Sequence, residues 1–352
     1  MPSTIGFPIS RIKVSVPFRR RELILRTRLV DALFDQLEKR VLLLVAPAGY
    51  GKTSLLVDLA QQSDMPVCWL SLDVLDEEPQ RFLRYIIAAI AEKYPGFGRD
   101  SLAALESMSS FEQDEERLVV TLTNEINAQI DEHFLLILDD YHLVGNVPFI
   151  SHMVDRFLQL VGENVHLLLA SRTLPDLPNS PLLIARNQMG GLTFRELSFL
   201  PEEIQQLFQQ NNEILLSRQD AQALVEQTEG WIAAIHLTNG QPGNIPRMHP
   251  LESTRELFDF FSKEVLFRQP EQVRRFLLMT SQFEAFDVAL CEKVLGPLIV
   301  GEQFDWTVLF ESVRMSNLFS VPLDYEGRWM RYHHLFQHFL QSQLQYDESV
   351  LA

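Results

Sequence analysis

At 352 residues the chain is long enough for about two domains, three at most, taking roughly 150 residues for each. Hydrophobic residues make up 46% and charged residues 22%, a globular balance that excludes wholesale disorder and coiled coil. The formal net charge of −17 argues against a surface that grips nucleic acid by neutralising phosphates over its whole extent.

The charge is uneven, however. Residues 11–40 hold nine Lys/Arg against four Asp/Glu, so a small anion site near the N-terminus is compatible with the balance. The opening MPSTIGFPISRIK has no apolar core of a secretory signal, and runs such as VLLLVAPA fall far short of the roughly 20 residues that span a bilayer. Cys68 and Cys291 are the only cysteines and form no CxxC pair, so neither a disulfide framework nor a zinc site is expected. A soluble, cytoplasmic chain is predicted.

In chain order, VLLLVA (41–46), VCWLSL (67–72), FLLILD (134–139), HLLLAS (166–171) and LTFREL (192–197) read as strands. They are almost continuously apolar, as parallel strands covered on both faces are. Helix-length patterns lie between them. After Pro79, the residues Phe82, Leu83, Ile86, Ile87 and Ile90 fall on one helical face, with Asp76, Glu77 and Glu78 suited to its start. This alternation predicts an α/β fold with a parallel sheet and helices on both faces.

Beyond residue 198 the strand signals stop. LPEEIQQLFQQ and DAQALVEQTEGWIAAIHLTNG read as two helices, the first opening with Ser198, Pro201 and Glu202. NGQPGNIPRMHP (239–250) concentrates Gly, Pro and Asn and reads as a linker. LESTRELFDFFSKEVL and PEQVRRFLLMTSQF are helical again. LFSVPLDYEGRWMRYHHLF then reads as a hairpin turning at Tyr325-Glu326-Gly327 into a final helix, the pattern of a winged helix.

APAGYGKTS (46–54) follows a buried strand and precedes a helix. It matches the phosphate-loop signature GxxxxGK[ST], with Ala46 at the first Gly position and Gly51, Lys52 and Thr53 intact. Small residues let the backbone wrap so that successive N–H groups face phosphate oxygens, and the helix start adds partial positive charge. Ala46, Pro47, Ala48, Gly49, Tyr50, Gly51, Lys52, Thr53 and Ser54 are the candidate phosphate-binding residues. Lys52 would reach the β/γ-phosphates of ATP or ADP, and the Thr53 hydroxyl would ligate Mg²⁺. Lys52 is expected to be solvent-exposed without ligand.

The strand FLLILD ends in an acidic pair. Asp139 would contact the metal through water and Asp140 would polarise the attacking water. The competing reading is a strand running into a solvated loop. The next strand ends at Ser171-Arg172, where Arg172 either senses the γ-phosphate or simply closes a strand. Nine histidines show no metal-ligand spacing, and His333-His334 is the one doublet. No nucleophile elbow is present.

APAGYGKTSLL, WLSLD with RFLRYIIAAI, LLILDDYHLV, ASRTLPDLP, TEGWIAAIHL and RYHHLF, in that order, resemble the ATPase module of MalT-like regulators. These are LuxR-type transcription activators of the signal-transduction ATPase class. The resemblance runs from about residue 11 to 345 and implies four segments. They are a P-loop nucleotide-binding domain with its run-in over 1–197, a small helical domain over 198–240, a linker over 241–250 and a winged-helix domain over 251–352.

It further implies a switch that is ADP-bound and closed at rest, ATP-bound and self-associating when an inducer acts, and reset by slow hydrolysis. His333, narrowly ahead of His334, stands where relatives place a winged-helix His on the β-phosphate. Relatives continue into a sensor and a helix-turn-helix domain, so DNA contact is expected only through a domain absent from this chain. Many such ATPases carry Gly-x-Pro in the helical domain, whereas Gly230-Trp231-Ile232 stands here. The alternatives are an ordinary kinase or ATPase with an acceptor bound by the C-terminal half, or direct DNA binding by the winged helix. The acidic residues around Arg328 and Arg331 weigh against the last.

Overall fold

The computed structural model describes residues 8–238, 255–299, 304–324 and 326–346. These form two compact units. The first runs up to Ala46 and resumes over Gly51–Leu197; the second takes Pro47–Tyr50 and the residues from Ser198 on.

The first unit is built on five parallel strands, β1 (Val41–Val45), β2 (Val67–Ser71), β3 (Phe134–Asp139), β4 (Val165–Ser171) and β5 (Met189–Thr193), in the order β2-β3-β4-β1-β5. β3 and β4 are buried along their whole length, which explains their unbroken apolar sequence. In register, Val45 of β1 lies opposite Ser171 of β4, and Ser71 of β2 opposite Asp139 of β3. The ends that carry the candidate residues are therefore adjacent.

β5 is where the sequence reading erred. The strand is Met189–Thr193, and Phe194–Leu197 is a turn of helix rather than its continuation. The Glu196 carboxylate accepts the Thr193 N–H at 2.8 Å and its hydroxyl at 2.6 Å, and this caps the turn. The strand itself holds Gly190 and Gly191, ahead of the stretch read as a strand. Gly191 has φ +137°, and a Cβ there would strike the Leu43 carbonyl oxygen, so only glycine lets β5 lie against β1.

The helix Pro79–Lys93 buries Phe82, Leu83, Ile86, Ile87 and Ile90 against the sheet core. Its cap is Glu78, whose carboxylate accepts the amides of Gln80 and Arg81. Asp76 has another task. It is fully buried, accepts the Asp73 amide and pairs with Lys13 and Arg81, so it ties the run-in segment down.

In the second unit, Pro201–Asn212 forms a helix whose Leu200 N–H is accepted by Glu203. The single helix expected over DAQALVEQTEGWIAAIHLTNG is two, Arg218–Thr228 and Ile232–Thr238. They are separated because Glu229 and Gly230 both take positive φ, 47° and 71°. Gly230 cannot be replaced cheaply, since a Cβ would stand 2.7 Å from the Phe199 backbone. The predicted linker 239–250 lies outside the described residues.

LESTRELFDFFSKEVL, described from Arg255, is broken into a helix to Phe260, a π-helical turn over Phe261–Val265 and a short 3₁₀ turn. Helices Glu271–Thr280, Val288–Leu295 and Trp306–Met315 follow; the last two carried no singled-out pattern in sequence. β6 (Ser320–Pro322) and β7 (Met330–Tyr332) pair antiparallel and lead into the helix His334–Tyr346. Of the expected turn, Tyr325 lies outside the described residues, and Gly327 takes φ +64°. The core of this unit is aromatic: Trp231, Phe261, Phe276, Phe286, Tyr332, Phe336 and Phe339 are all fully buried.

Candidate nucleotide site

β1 ends at Val45 and the helix Lys52–Gln62 begins seven residues on, with Gly51 (φ 80°, ψ 24°) as its left-handed N-cap. Gly49 is also left-handed at φ 81°. Two such positions within three residues make the chain double back tightly, which is what a loop of inward-facing amides requires.

Lys52 is buried, against the expectation of an exposed side chain. Its ammonium donates to the Ala46 carbonyl at 2.7 Å. Burial first, and then the Arg172 charge, lower its pKa to about 8, with Asp140 and Asp139 opposing the shift. The packing explains the difference: the aliphatic stem folds back along the loop instead of reaching into water. Through these charges Lys52, Asp139, Asp140 and Arg172 act on one another within the first unit.

Thr53 donates its hydroxyl to the Asp139 carboxylate at 2.8 Å. Burial raises the Asp139 pKa to about 6, with Asp140 adding to it, and the Thr53 hydrogen bond and Lys52 only partly counter this. A buried carboxylate pressed towards neutrality beside a hydroxyl has the hard oxygen donors that Mg²⁺ takes, so this pair fits the ion. Asp140 has φ 59° and ψ 35° and opens the turn Tyr141–Leu143. Its side chain is nearly half exposed, with the His142 imidazole 3.8 Å away. Asp tolerates this left-handed conformation at a cost of about 1–2 kcal/mol. The carboxylate thus faces outward, beside rather than behind Asp139. Ser54 is half-buried in the first helical turn.

Pro47, Ala48, Gly49 and Tyr50 belong to the second unit. There the Trp231 indole N–H donates to the Ala48 carbonyl at 2.9 Å, and the Ala233 amide donates to the Gly49 carbonyl at 3.2 Å. Trp231 was not a candidate from sequence. No sequence signal marked it, since it occupies the unrestricted middle position of Gly-x-Pro and the departure there falls at Ile232.

His333, the expected phosphate donor, also lies in the second unit. It is buried; Nε2 faces the Thr228 carbonyl at 3.0 Å, and Nδ1 accepts the Leu335 amide at 3.3 Å. Those partners assign the proton to Nε2, so its one N–H is already donated within the unit. Burial lowers its pKa to about 4, in keeping with a neutral ring. His334 is the more exposed ring, and its Nδ1 lies 2.9 Å from Glu229 Oε1. Glu229, His333 and His334 come close enough to hold a cation. Arg331 already occupies both Glu229 oxygens at 3.0 and 2.9 Å, which makes the group an ion-paired network instead. Among the described residues no helix is long and apolar enough to cross a membrane.

A phosphate loop on a five-stranded parallel sheet with an acidic strand end defines a P-loop NTPase domain, and an AAA domain model matches residues 36–173. Residues 262–351 match the MalT winged helix domain. The chain is homologous to the MalT transcriptional regulators over nearly its whole length. It is 32% identical to the HTH-type transcriptional regulator MalT of Yersinia enterocolitica over 96% of this chain. It is 30% identical to the protein of that name in Klebsiella pneumoniae, also over 96%. In both cases it spans 37% of the relative's length. A Walker-type ATPase of Pyrococcus abyssi shares the fold at a TM-score of 0.56 and 15% identity, covering 92% of this chain and 97% of that one.

Proposed function

We propose that this chain is the nucleotide-operated switch of a MalT-like transcription regulator, resting with ADP and self-associating with ATP. The observation that carries the reading is the meeting of the helix start at Lys52 and Thr53 with the end of β3 at Asp139, with Thr53 bonded to Asp139 at 2.8 Å. Gly51, Lys52, Thr53 and Ser54 would hold the phosphates, with Pro47, Ala48, Gly49 and Tyr50 shaping the loop before them. Thr53 and Asp139 would hold Mg²⁺, which when bound neutralises charge on the phosphate oxygens. Asp140, outward-facing, would orient and deprotonate a water, and Arg172 would stabilise charge on the γ-phosphate.

Hydrolysis is proposed to be slow, because a switch must dwell in its ATP state. Nucleotide can move the switch only by binding one state better than the other. An inducer, and DNA contact through a further domain, enter this reading only by way of the longer relatives. Denaturing the purified protein and separating the released nucleotide chromatographically tests it. Stoichiometric ADP is expected. An empty site with fast exchange and brisk turnover on a small acceptor would point to an ordinary enzyme.

A further inference from the structure

Two carbonyls of the loop, those of Ala48 and Gly49, are taken by donors from one short stretch, the Trp231 indole at 2.9 Å and the Ala233 amide at 3.2 Å. A trans peptide is planar, with its C=O and the next N–H pointing in opposite directions. Drawing the Ala48 and Gly49 carbonyls towards Trp231 and Ala233 therefore turns the amides of Gly49 and Tyr50 the other way. Those are amides that a phosphate loop needs facing its ligand.

The contact is close: a Cβ at Gly49 would stand 2.5 Å from Ala233 Cβ and 2.7 Å from Trp231 Nε1. Trp231 is itself immobilised. It is fully buried, stacked on Phe261 at 5.3 Å between ring centroids and edge-on to Phe319 at 4.9 Å and His333 at 5.9 Å. A donor locked in an aromatic cluster loses little freedom in making its bond, so it can dictate the loop's shape instead of following it.

We propose that Trp231 is a positioning residue for the phosphate loop: by holding the Ala48 carbonyl it presents the Gly49 and Tyr50 amides to a phosphate. The inference rests on the nucleotide reading above.

Trp231→Phe keeps a ring in the cluster and removes the donor. The whole chain, wild type and variant, is titrated with ADP and with adenosine by displacement of a fluorescent ADP analogue, which reads millimolar affinities as well. The variant is expected to bind ADP about tenfold more weakly, the value of one hydrogen bond, and adenosine unchanged. Equal weakening of both ligands would make Trp231 merely structural, and unchanged ADP affinity would show that the bond does not shape the loop; either overturns the proposal. Should the Phe variant fail to fold by circular dichroism, Trp231→Leu, which also lacks a donor, makes the same comparison. A wild type that binds neither ligand would instead remove the nucleotide reading itself.

Discussion

Lys52 enters the first turn of its helix with the ammonium folded back on the Ala46 carbonyl, buried beside Arg172. A cation in that position stabilises the fold little, because burial opposes its charge. Its use is in ligand binding. Lys52→Ala is expected to weaken ADP about ten- to a hundredfold, the range for a hydrogen bond to a charged group, with the unliganded melting temperature kept. Nucleotide titration of the folded variant checks this, and unchanged affinity would remove Lys52 from the site. The two aspartates divide differently. Asp139 is buried against Thr53, whereas Asp140 faces outward. Asp139→Asn should mainly damage Mg²⁺-dependent binding, and Asp140→Asn should keep ATP but slow hydrolysis by about 10²–10⁴. Equal loss of binding in both variants would refute that division. At this scale the meeting of Thr53 and Asp139 was legible, since GKT after an apolar strand and DD closing another are local patterns. The burial of Lys52 and the spent N–H of His333 were not, because each depends on carbonyls that no spacing rule locates.

Secondary-structure elements were read well where their apolar period was long, as in β3, β4 and the helix after Pro79. They were misread where one glycine overrules the pattern. The strand that needs Gly191 to lie against β1 begins before the 192–197 read for it, and Gly230 breaks a stretch that reads as one helix. Gly191→Ala would put a methyl into the Leu43 backbone at a φ that L residues avoid, so a loss of about 3 kcal/mol or more is expected by chemical denaturation. The joint after Thr228 is held electrostatically as well. Burial alone would raise the Glu229 pKa, but hydrogen bonds from His334 and Arg331, with their nearby charge, hold the carboxyl far below the usual carboxylate range. A depressed carboxylate stabilises above its unfolded pKa, and that contribution fades as pH falls below about 4.5. Glu229→Gln should therefore cost the second unit about 1.5–3 kcal/mol at pH 7 and less at pH 3 to 4. Denaturant titrations at the two pH values test this, and an equal loss at both would show that the charge is not what matters.

Over the whole molecule, charge sets the terms on which two copies can meet. Each chain carries −17 at neutral pH, so approach of a second copy is opposed by a long-range repulsion that the local fit must overcome. Small ions screen that repulsion: the Debye length falls from about 14 Å at 50 mM salt to about 6 Å at 300 mM, following the square-root dependence on ionic strength. Contacts made by apolar side chains lose nothing over that range. If ATP exposes such a face, the self-association proposed for the ATP state should strengthen as salt rises, whereas assembly through ion pairs would weaken. Light scattering coupled to size exclusion, with ATP and Mg²⁺ at the two salt concentrations, reads the difference directly. The Lys52→Ala chain, carrying one more net negative charge and weak nucleotide binding, serves as the control and should stay monomeric at both. Assembly that dissolves on going to 300 mM salt would mean that opposite charges, locally paired against the overall −17, hold the copies together.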